Sequence, residues 1–303
     1  MADDSHSASP APFVLAIASG KGGTGKTLVA TNLSAAAAAA GTRVVLADCD
    51  VETPDDHLFL HRLTESCTAV ESVIASVDSA RCTACGRCRT ACAYGAIRVL
   101  GDSAVVFDEL CHGCGVCLDV CPDAAVSEIS RRVGETISGA VSGPGDLVLV
   151  TGRLDIGQVA SPTVIRATRA AALTHGAELV VVDSPPGVAC SAVAATRGVD
   201  ALLLVTEPTP FGLHDLELSL RLGASLGLTT GVVVNRDTGH QTPVEELCVS
   251  FGVPIVGRIP FDRGIAELYA DGSLLLGRSK HAEETIAALP DTMRELAAAR
   301  VVA

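Results

Sequence analysis

The sequence is poor in aromatic residues and in positive charge. Aromatics make up 3% of the 303 residues and tryptophan is absent, whereas 48% of the residues are hydrophobic. A buried core therefore has to be built mainly from Ala, Val, Leu and Ile. Lys and Arg number 22 against 35 Asp and Glu, which gives a formal net charge of -13. Because nucleic-acid binding depends largely on Lys and Arg that neutralise phosphates, this composition argues against a nucleic-acid partner.

Signals for a membrane are also lacking. Residues 1–12 are acidic and rich in Ser, Ala and Pro, unlike the basic start of a signal peptide. The early apolar run from Phe13 to Ala18 is far shorter than the roughly 20 residues of a transmembrane helix. The stretch 282–303 mixes Glu and Arg without a basic face, which argues against an amphipathic membrane anchor. We therefore expect a soluble, cytoplasmic protein with a disordered tail at residues 1–12 and no membrane partner.

Strand-like and helical segments alternate along most of the chain. An apolar strand at 13–19 leads into a Gly-rich turn, a helix from about Lys26 to Gly41 and a second apolar strand at 43–47. The same alternation resumes after residue 142. It predicts an α/β fold with a doubly wound, mostly parallel sheet that binds its ligands at the carboxyl ends of the strands. Between residues 66 and 141 the alternation fails, so residues 13–65 and 142–303 are predicted to form one domain that this segment interrupts.

A phosphate-binding loop lies between the first strand and the first helix. The pattern Gly-x4-Gly-Lys-Thr at residues 20–27 has the strand-before, helix-after context of a P-loop. Its glycines allow backbone N–H groups to converge on phosphate oxygens. Lys26 is expected to neutralise the β- and γ-phosphates, and the Thr27 hydroxyl to bind Mg²⁺. The predicted ATP ligands in this loop are Gly20, Gly22, Gly23, Thr24, Gly25, Lys26 and Thr27. The alternative is a tight turn whose glycines are incidental.

A carboxylate ends another apolar strand. Residues 180–182 are all Val, and Asp183 follows them. This is the Walker B arrangement, in which the carboxylate holds Mg²⁺ through a water molecule. Asp183 is therefore assigned to the same nucleotide site.

Cysteine is abundant and clustered. Eight of the twelve cysteines lie between residues 82 and 121, in two runs that share the spacing C-x2-C-x2-C-x3-C. In a reducing compartment such a set indicates metal binding rather than disulfides. The spacing is typical of bacterial ferredoxins, in which the fourth cysteine of each run ligates the other cluster. We expect one 4Fe-4S cluster on Cys82, Cys85, Cys88 and Cys121, and a second on Cys111, Cys114, Cys117 and Cys92. Zinc, which usually uses paired C-x2-C spacings separated by a longer loop, is the alternative.

Together these motifs resemble the MinD/ParA/Mrp superfamily of P-loop ATPases, in the form that carries an inserted two-cluster ferredoxin-like domain. The loop Lys21-Gly22-Gly23-Thr24-Gly25-Lys26-Thr27 is similar to the deviant Walker A motif of that family, and further similar segments occur at 48–57, 152–157, 187–190, 205–209 and 259–262. The likeness extends over about residues 13–280. It implies a deviant Walker A P-loop NTPase domain with the ferredoxin-like domain inserted at 66–141.

The resemblance also implies roles for individual residues. Lys21 would reach across a sandwich dimer to the partner's nucleotide, and the alternative is a solvated lysine. Asp50 would position the attacking water with Asp48 in support, unless one of them caps a helix or turn. Asn235 would read the edge of the adenine. Cys49, Cys67, Cys190 and Cys248 lie outside the two runs, and free cysteines are most often small core residues. Because Cys49 and Cys190 adjoin the two switch segments, a redox or metal relay is the alternative for them.

Three function hypotheses follow. In the first, nucleotide-driven closure of a dimer, with a second copy or a paralogue, is coupled to electron transfer with a redox partner. In the second, the protein is a carrier or maturation factor that delivers clusters or metal to a client protein. In the third, it is a ParA-like positioning ATPase whose clusters are structural. The sequence lacks the C-terminal Cys-Pro-x-Cys pair with which related cluster-assembly scaffolds bridge their dimers, and this argues against a pure scaffold role.

Overall fold

The chain folds into two compact units. A computed structural model describes residues 11–143, 145–239 and 243–302, with side chains as far as residue 300. The predicted tail lies, apart from residues 11 and 12, outside these residues. The first unit comprises the chain up to Cys67, Thr136–Arg153 and the chain from Ile165 onward, and the second comprises Thr68–Glu135 and Leu154–Val164.

Regular elements make up most of the described residues. The strands are β1 (Phe13–Ala18), β2 (Val44–Asp48), β3 (Ser66–Val77), β4 (Ile97–Leu100), β5 (Ser103–Val106), β6 (Val126–Ala140), β7 (Leu147–Leu154), β8 (Leu179–Asp183), β9 (Ala201–Thr206), β10 (Thr229–Asp237) and β11 (Ile255–Pro260). The helices are α1 (Lys26–Ala39), α2 (Arg87–Ala91), α3 (Val116–Asp119), α4 (Ser161–Leu173), α5 (Cys190–Thr196), α6 (Pro210–Ser225), α7 (Pro243–Phe251), α8 (Arg263–Ala270) and α9 (Lys280–Val302). None of these helices combines the length and hydropathy that a membrane span requires.

The first unit is built around a parallel sheet with the order β11-β10-β9-β1-β8-β2-β7. The parts of β6 and β3 that belong to this unit continue that order. Strands β2 and β8 are buried at every residue, as continuous apolar runs covered on both faces should be. The prediction of an α/β fold with a mostly parallel sheet is therefore confirmed.

The core of the first unit is aliphatic. Its largest fully buried side chains include Leu15, Leu33, Leu46, Leu203 and Ile17, while Met293 and Ile286 cover the sheet from α9. This is the composition expected of a chain in which aromatic residues are scarce. Burial of such side chains contributes roughly 1.5–3 kcal/mol each, so the sheet is held rigidly beneath the residues that follow its strands.

The register of the central strands brings two carboxylates together. Asp183 at the end of β8 is aligned with Ile17 on β1 and with Asp48 at the end of β2. Helix α1 begins eight residues after β1 ends, at Lys26. The carboxyl edge of β1, β8 and β2 therefore gathers the phosphate loop and both acidic strand ends in one place.

The second unit contains both cysteine runs. Helices α2 and α3 each follow a glycine in the left-handed region, Gly86 with φ 75° and Gly115 with φ 76°, and β4 and β5 form an antiparallel hairpin between them. The unit has a small core to which two cysteines belong, and its members are Ala75, Cys88, Ile97, Ala104, Cys117 and Val126.

Residues 154–164 belong to this second unit, although the sequence pattern assigned them to the P-loop domain. The reason lies in contacts that the sequence does not show. The Asp155 N–H donates to the Val133 carbonyl at 2.9 Å, and the Asp155 carboxylate accepts from Arg132 Nε at 3.0 Å. The main segment of this unit is Thr68–Glu135, which begins later and ends earlier than the predicted segment 66–141.

Candidate nucleotide site and cysteine-lined cavities

A cavity of about 770 Å³ opens at the carboxyl edge of the sheet in the first unit. This volume is typical of a small-molecule site. The phosphate loop forms one wall, and the opposite walls come from residues 50–55, from Asn235 and Arg236 after β10, and from residues 260–269. The predicted loop, the acidic segment after β2 and the predicted adenine-binding residue therefore meet around one cavity.

Glycine is required at two positions of the loop. Gly25 precedes α1 with φ 96°, and a Cβ there would lie 2.1 Å from the Asn235 amide nitrogen. A Cβ on Gly20 would lie 2.3 Å from the backbone oxygen of Asp215 on α6. The loop is thus pressed between two elements, with the N–H groups of the first turn of α1 left free of intrahelical partners, which is the arrangement that binds phosphate.

Asn235 supports the loop from β10. Its amide donates to the Thr24 carbonyl at 2.7 Å, and its side-chain oxygen accepts from the Arg236 N–H at 2.9 Å. Arg236 takes a left-handed conformation with φ 55°, which is uncommon outside glycine. In this arrangement Asn235 fixes the loop, and its reading of an adenine edge stays a prediction.

Lys26, Thr27 and Asp183 form a buried cluster. Lys26 Nζ lies 2.7 Å from one Asp183 carboxylate oxygen, and the Thr27 hydroxyl lies 2.9 Å from the other. Burial by itself lowers the pKa of Lys26, but the carboxylates around it, chiefly Asp183, outweigh burial and raise the pKa above its ordinary value. The lysine is therefore a fixed cation, and the groups predicted to bind phosphate and Mg²⁺ are already together.

Asp48 and Asp50 take different positions. Asp48 is fully buried, and its two carboxylate oxygens accept the backbone N–H groups of Asp50 at 3.2 Å and Asp56 at 3.3 Å. Asp50 is only half-buried and lines the cavity. Asp48 thus braces the segment that presents Asp50, a placement that suits the predicted supporting and water-positioning roles.

Two further acids, Asp55 and Asp56, face the same cluster. One ligand oxygen from each lies within 4.8 Å of the other and of Asp183, and Asp55 Oδ1 is 3.1 Å from the Thr27 hydroxyl. Asp56 is fully buried, yet neither of its carboxylate oxygens has a hydrogen-bond partner among the described residues. An all-oxygen set of this kind suits Mg²⁺. Both acids lie in the segment 48–57, and the sequence predicted no role for either of them.

Burial and the neighbouring carboxylates, first Asp48 and then Asp183, raise the pKa of Asp56 well above its ordinary value. The folded chain therefore favours the protonated acid, and without a divalent cation its stability should fall as pH rises above about 4, the usual carboxyl pKa. Asp56→Asn should flatten this fall and, at pH 8 in magnesium-free buffer, raise the melting temperature by about 2–4 °C. Thermal unfolding between pH 5 and 8 tests this. Equal slopes for wild type and variant would contradict it.

Lys21 is held by a glutamate of its own chain. Lys21 Nζ lies 2.5 Å from Glu207 Oε1, and Arg236 Nη1 lies 2.8 Å from Glu207 Oε2. Burial alone raises the pKa of Glu207, but the two cations outweigh it and hold the pKa below its usual value. Lys21 is one-third exposed, so it lies at the surface beside the loop. Any reach toward a partner's nucleotide begins with release from Glu207, a contact that the sequence analysis did not foresee.

Two smaller cavities in the second unit are each lined by four cysteines. One contains Cys82, Cys85, Cys88 and Cys121, and the other contains Cys92, Cys111, Cys114 and Cys117. In both sets the fourth cysteine comes from the other run, as in the two predicted ligand sets. Each set has one exposed cysteine, Cys85 in the first and Cys114 in the second. Each also has one buried cysteine, Cys88 in the first and Cys117 in the second.

The sequence repeat extends to the backbone of the two runs. Ala84 with φ 53° occupies the place of Gly113 with φ 63°, and Ala124 with φ 46° occupies that of Gly95 with φ 64°. Holding alanine in this region costs of order 1–2 kcal/mol. The two runs therefore share the same backbone conformation even where alanine makes it unfavourable. Backbone N–H groups also point at equivalent sulfurs, with the pairs Ala104 to Cys82 at 3.4 Å, Ala125 to Cys121 at 3.2 Å, Ala75 to Cys111 at 3.5 Å and Ala96 to Cys92 at 3.3 Å.

In both sets the sulfurs are spaced more widely than the ligands of a bound zinc ion. In a tetrahedral zinc site with Zn–S bonds of about 2.3 Å, neighbouring sulfurs are about 3.8 Å apart. Among the described residues, which include all twelve cysteines, the metal-ligating groups that approach within 4.8 Å in sets of three or more are Asp55, Asp56 and Asp183 alone. A cluster that distributes four thiolates over several iron atoms accepts the wider spacing.

The other four cysteines belong to the first unit. Cys49 and Cys248 are buried, and Cys67 and Cys190 are exposed. Burial, followed by the Asp48 carboxylate, raises the pKa of Cys49 well above its ordinary value, which keeps a neutral thiol between the two acids.

Comparison with known sequences agrees with the geometry of the nucleotide site. Residues 15–276 match the family described as the CobQ/CobB/MinD/ParA nucleotide binding domain. The chain belongs to this family. The prediction of a MinD/ParA-type P-loop ATPase is thereby confirmed. Two uncharacterised proteins of Methanocaldococcus jannaschii are 30% identical over 93% of this chain and 96% of their own length, and 27% identical over 87% and 91%. A protein named as an uncharacterised ATP-binding protein of that organism is 22% identical over 87% of this chain and 80% of its own.

Solved structures support the same fold for this MinD/ParA-family chain. The cell division ATPase MinD of Pyrococcus furiosus has a TM-score of 0.58 at 20% identity, covering 94% of this chain and 99% of its own. MinD of Pyrococcus horikoshii, solved in complex with Mg-ADP, has a TM-score of 0.56 at 21% identity, covering 91% and 93%. A ParA family ATPase from Chlorobium tepidum has a TM-score of 0.57 at 18% identity, covering 92% and 97%.

Proposed function

We propose that this MinD/ParA-family protein hydrolyses ATP and couples nucleotide-driven closure of a dimer to electron transfer through two 4Fe-4S clusters. The observation that carries the proposal is the pair of four-cysteine cavities in a chain that also contains the nucleotide cavity. A nucleotide site supplies energy from hydrolysis, and thiolate sets of this kind bind redox centres.

The residues around the two cavities fit the clusters. Each cavity offers four thiols, with backbone N–H groups directed at sulfur. No three cysteine sulfurs of the described residues lie within 4.8 Å of one another, and this spacing favours a cluster over a single zinc ion. When bound, the clusters supply one-electron redox chemistry. The protein's part is to hold the thiolates at fixed positions and to exclude water, since Cys88 and Cys117 lie in the apolar core of the second unit.

The same burial favours electron transfer over cluster delivery. Release of a cluster would leave Cys88 and Cys117 without ligation inside a core of six residues. A cluster carrier has to release its cluster, which is easier from an exposed site. A redox protein has to retain its cluster through many electron-transfer cycles. Resident clusters therefore suit the first function hypothesis better than the carrier hypothesis.

In the nucleotide cavity, each predicted residue has a definite task. The N–H groups at the start of α1 and the Lys26 ammonium bind the phosphates. Thr27 and Asp183, together with Asp55 and Asp56, provide the oxygens for Mg²⁺. Asp50, at the cavity wall, orients the attacking water. The Mg-ADP complex of the similar MinD from Pyrococcus horikoshii supports the placement of a magnesium nucleotide here.

Lys21→Ala should spare nucleotide binding and abolish hydrolysis that depends on dimer formation. Groups donated in trans to a transferring phosphoryl contribute a factor of roughly 10³ or more, so we expect turnover to fall at least about 100-fold. The fold should tolerate the change because Glu207 keeps its ion pair with Arg236. Turnover measured over a range of protein concentrations tests this. The control is Lys280→Ala, an exposed lysine near Glu284, and wild-type turnover in Lys21→Ala would contradict the assignment.

Redox titration of anaerobically purified protein, with and without a non-hydrolysable ATP analogue, tests the proposed function. About eight iron and eight acid-labile sulfide per chain are expected. A nucleotide-dependent shift of the midpoint potential of about 60 mV, tenfold in the equilibrium constant for one electron, would support coupling. Colourless protein without iron would refute the clusters. Potentials insensitive to nucleotide, with loss of clusters to an apoprotein acceptor, would favour the carrier hypothesis instead.

A further inference from the structure

The two cysteine runs of the second unit carry opposite charge. Residues 79–101 contain four arginines, Arg81, Arg87, Arg89 and Arg98, and no acidic residue. Residues 102–130 contain six carboxylates and neither Lys nor Arg. The chain as a whole has a formal net charge of -13. A stretch of 23 residues whose charged residues are all positive is therefore unusual in this sequence. The first cysteine run therefore presents a local positive potential.

These arginines are exposed and have no carboxylate partner among the described residues. The other two arginines of the unit have carboxylate partners. Arg131 lies 3.4 Å from Asp108 and 3.6 Å from Glu109, and Arg132 lies 2.9 Å from Glu135. The hydrogen bonds that these arginines donate go to backbone carbonyls, from Arg81 to Asp123 at 3.0 Å and from Arg98 to Ile97 at 3.2 Å. The guanidinium groups of the first run thus form no ion pair among the residues that the structure describes.

An open groove of about 590 Å³ adjoins this charge. It is lined by Arg87 and Thr90 of α2, by Cys121 and Pro122, and by Cys85, which is exposed. Cys85 and Cys121 both belong to the first cysteine set. Asp119 is the carboxylate on the groove wall. A partner seated in the groove would lie directly against two of the four thiolates that the proposed function assigns to one cluster.

We propose that the first cysteine run, which carries Arg87 on the groove wall and the exposed Arg81, Arg89 and Arg98 nearby in the sequence, is the docking face for an acidic one-electron carrier protein. The proposal rests on the proposed function, since it names the partner of the same redox site. The carrier is oxidised by one electron and the clusters accept it, with no bond formed or broken. A protein of localised acidity fits better than nucleic acid, because the chain has a formal net charge of -13 and its positive stretch is short.

Charge reversal tests the docking face. The Arg87→Glu/Arg89→Glu variant, with clusters loaded, is compared with wild type and with Arg300→Glu, an exposed arginine in the last turn of α9. The probes are an acidic plant-type ferredoxin, basic cytochrome c and a 20-nucleotide single-stranded DNA. Binding to each oxidised probe is measured by calorimetry, and electron exchange by stopped flow, at about 20 mM and 300 mM salt.

The expected result is that wild type binds the acidic ferredoxin at low salt and loses it at high salt. The double variant should bind it at least tenfold more weakly and exchange electrons correspondingly more slowly, a range typical of electrostatic steering. Binding of cytochrome c should rise, and Arg300→Glu should resemble wild type. Any of four outcomes would overturn the docking proposal. The double variant could bind ferredoxin as tightly as wild type, or wild type could fail to bind it. Arg300→Glu could show the same loss of binding as the double variant, or DNA could be the one probe whose binding depends on the arginines. Arginine-dependent binding without any electron exchange would instead refute the proposed electron-transfer function and leave the docking face in place.

Discussion

The double variant Cys114→Ser/Cys121→Ser should lose both clusters, whereas Cys85→Ser/Cys121→Ser should lose only one. The reason is the exchange of the fourth ligand, because Cys121 lines the same cavity as Cys85 and not the cavity of Cys114. Iron content should fall from about eight atoms per chain to about four in the second variant and close to zero in the first. Iron and sulfide analysis, with electron paramagnetic resonance of the reduced proteins, provides the measurement.

Exposed positions make this comparison clean. Cys85 and Cys114 are both exposed, so serine there disturbs the core of the unit less than at Cys88 or Cys117. Cys67→Ser, exposed and outside both sets, is the control and should keep all its iron. If each run ligated its own cluster, Cys114→Ser/Cys121→Ser would retain four iron atoms and Cys85→Ser/Cys121→Ser would lose both clusters. That reversed pattern would disprove the assignment of the ligands.

Lys26→Ala should weaken ATP binding at least 100-fold. Hydrogen bonds to charged groups contribute about 1.5–3 kcal/mol each, and the loss of about 3 kcal/mol corresponds to roughly 100-fold in affinity. The same change removes the partner of the buried Asp183 carboxylate, which lies 2.7 Å from Lys26 Nζ. Some loss of stability is therefore expected too, since an unpaired buried charge is destabilising. Calorimetric titration with ATP and Mg²⁺ provides the measurement.

A second variant separates binding from folding. Lys26→Ala/Asp183→Asn leaves no buried carboxylate uncompensated at residue 183, so its melting temperature should recover while ATP binding stays lost. Lysine is rare in this chain, with Lys280 as the third besides Lys21 and Lys26, and Lys280→Ala should bind ATP as wild type does. Wild-type affinity in Lys26→Ala would contradict the assignment of the phosphate site.

The features that the sequence predicted are those encoded over short distances. The loop from Gly20 to Thr27 joins one strand to the helix that follows it, and each cysteine run spans eleven residues. Such motifs fix their own backbone, and for this reason the P-loop and both ligand sets could be proposed before any coordinates. The α/β sheet followed from apolar runs such as 179–182, because only strands covered on both faces are apolar throughout.

The contacts that the sequence did not predict join residues far apart in the chain. Lys21 and Glu207 are separated by 186 residues, and no pattern around either residue points to the other. Tyr269 packs against Phe59 with ring centroids 4.9 Å apart and an interplanar angle of 32°, and it lines the nucleotide cavity, yet both are ordinary positions in the sequence. The role of Asp56 depends on burial without a partner, which only the folded chain reveals.

Cys88 and Cys117 are core residues of the second unit, and their proposed second role as sulfur ligands has a consequence for biosynthesis. Small domains with few apolar contacts depend on metal binding for their folding free energy. With its clusters in place, the second unit gains that free energy from iron. A newly made chain in an iron-starved cell would lack it, and this unit would be the first part that proteases attack. Supply of iron and sulfide would then set how much of the protein accumulates, independently of how much messenger RNA is translated.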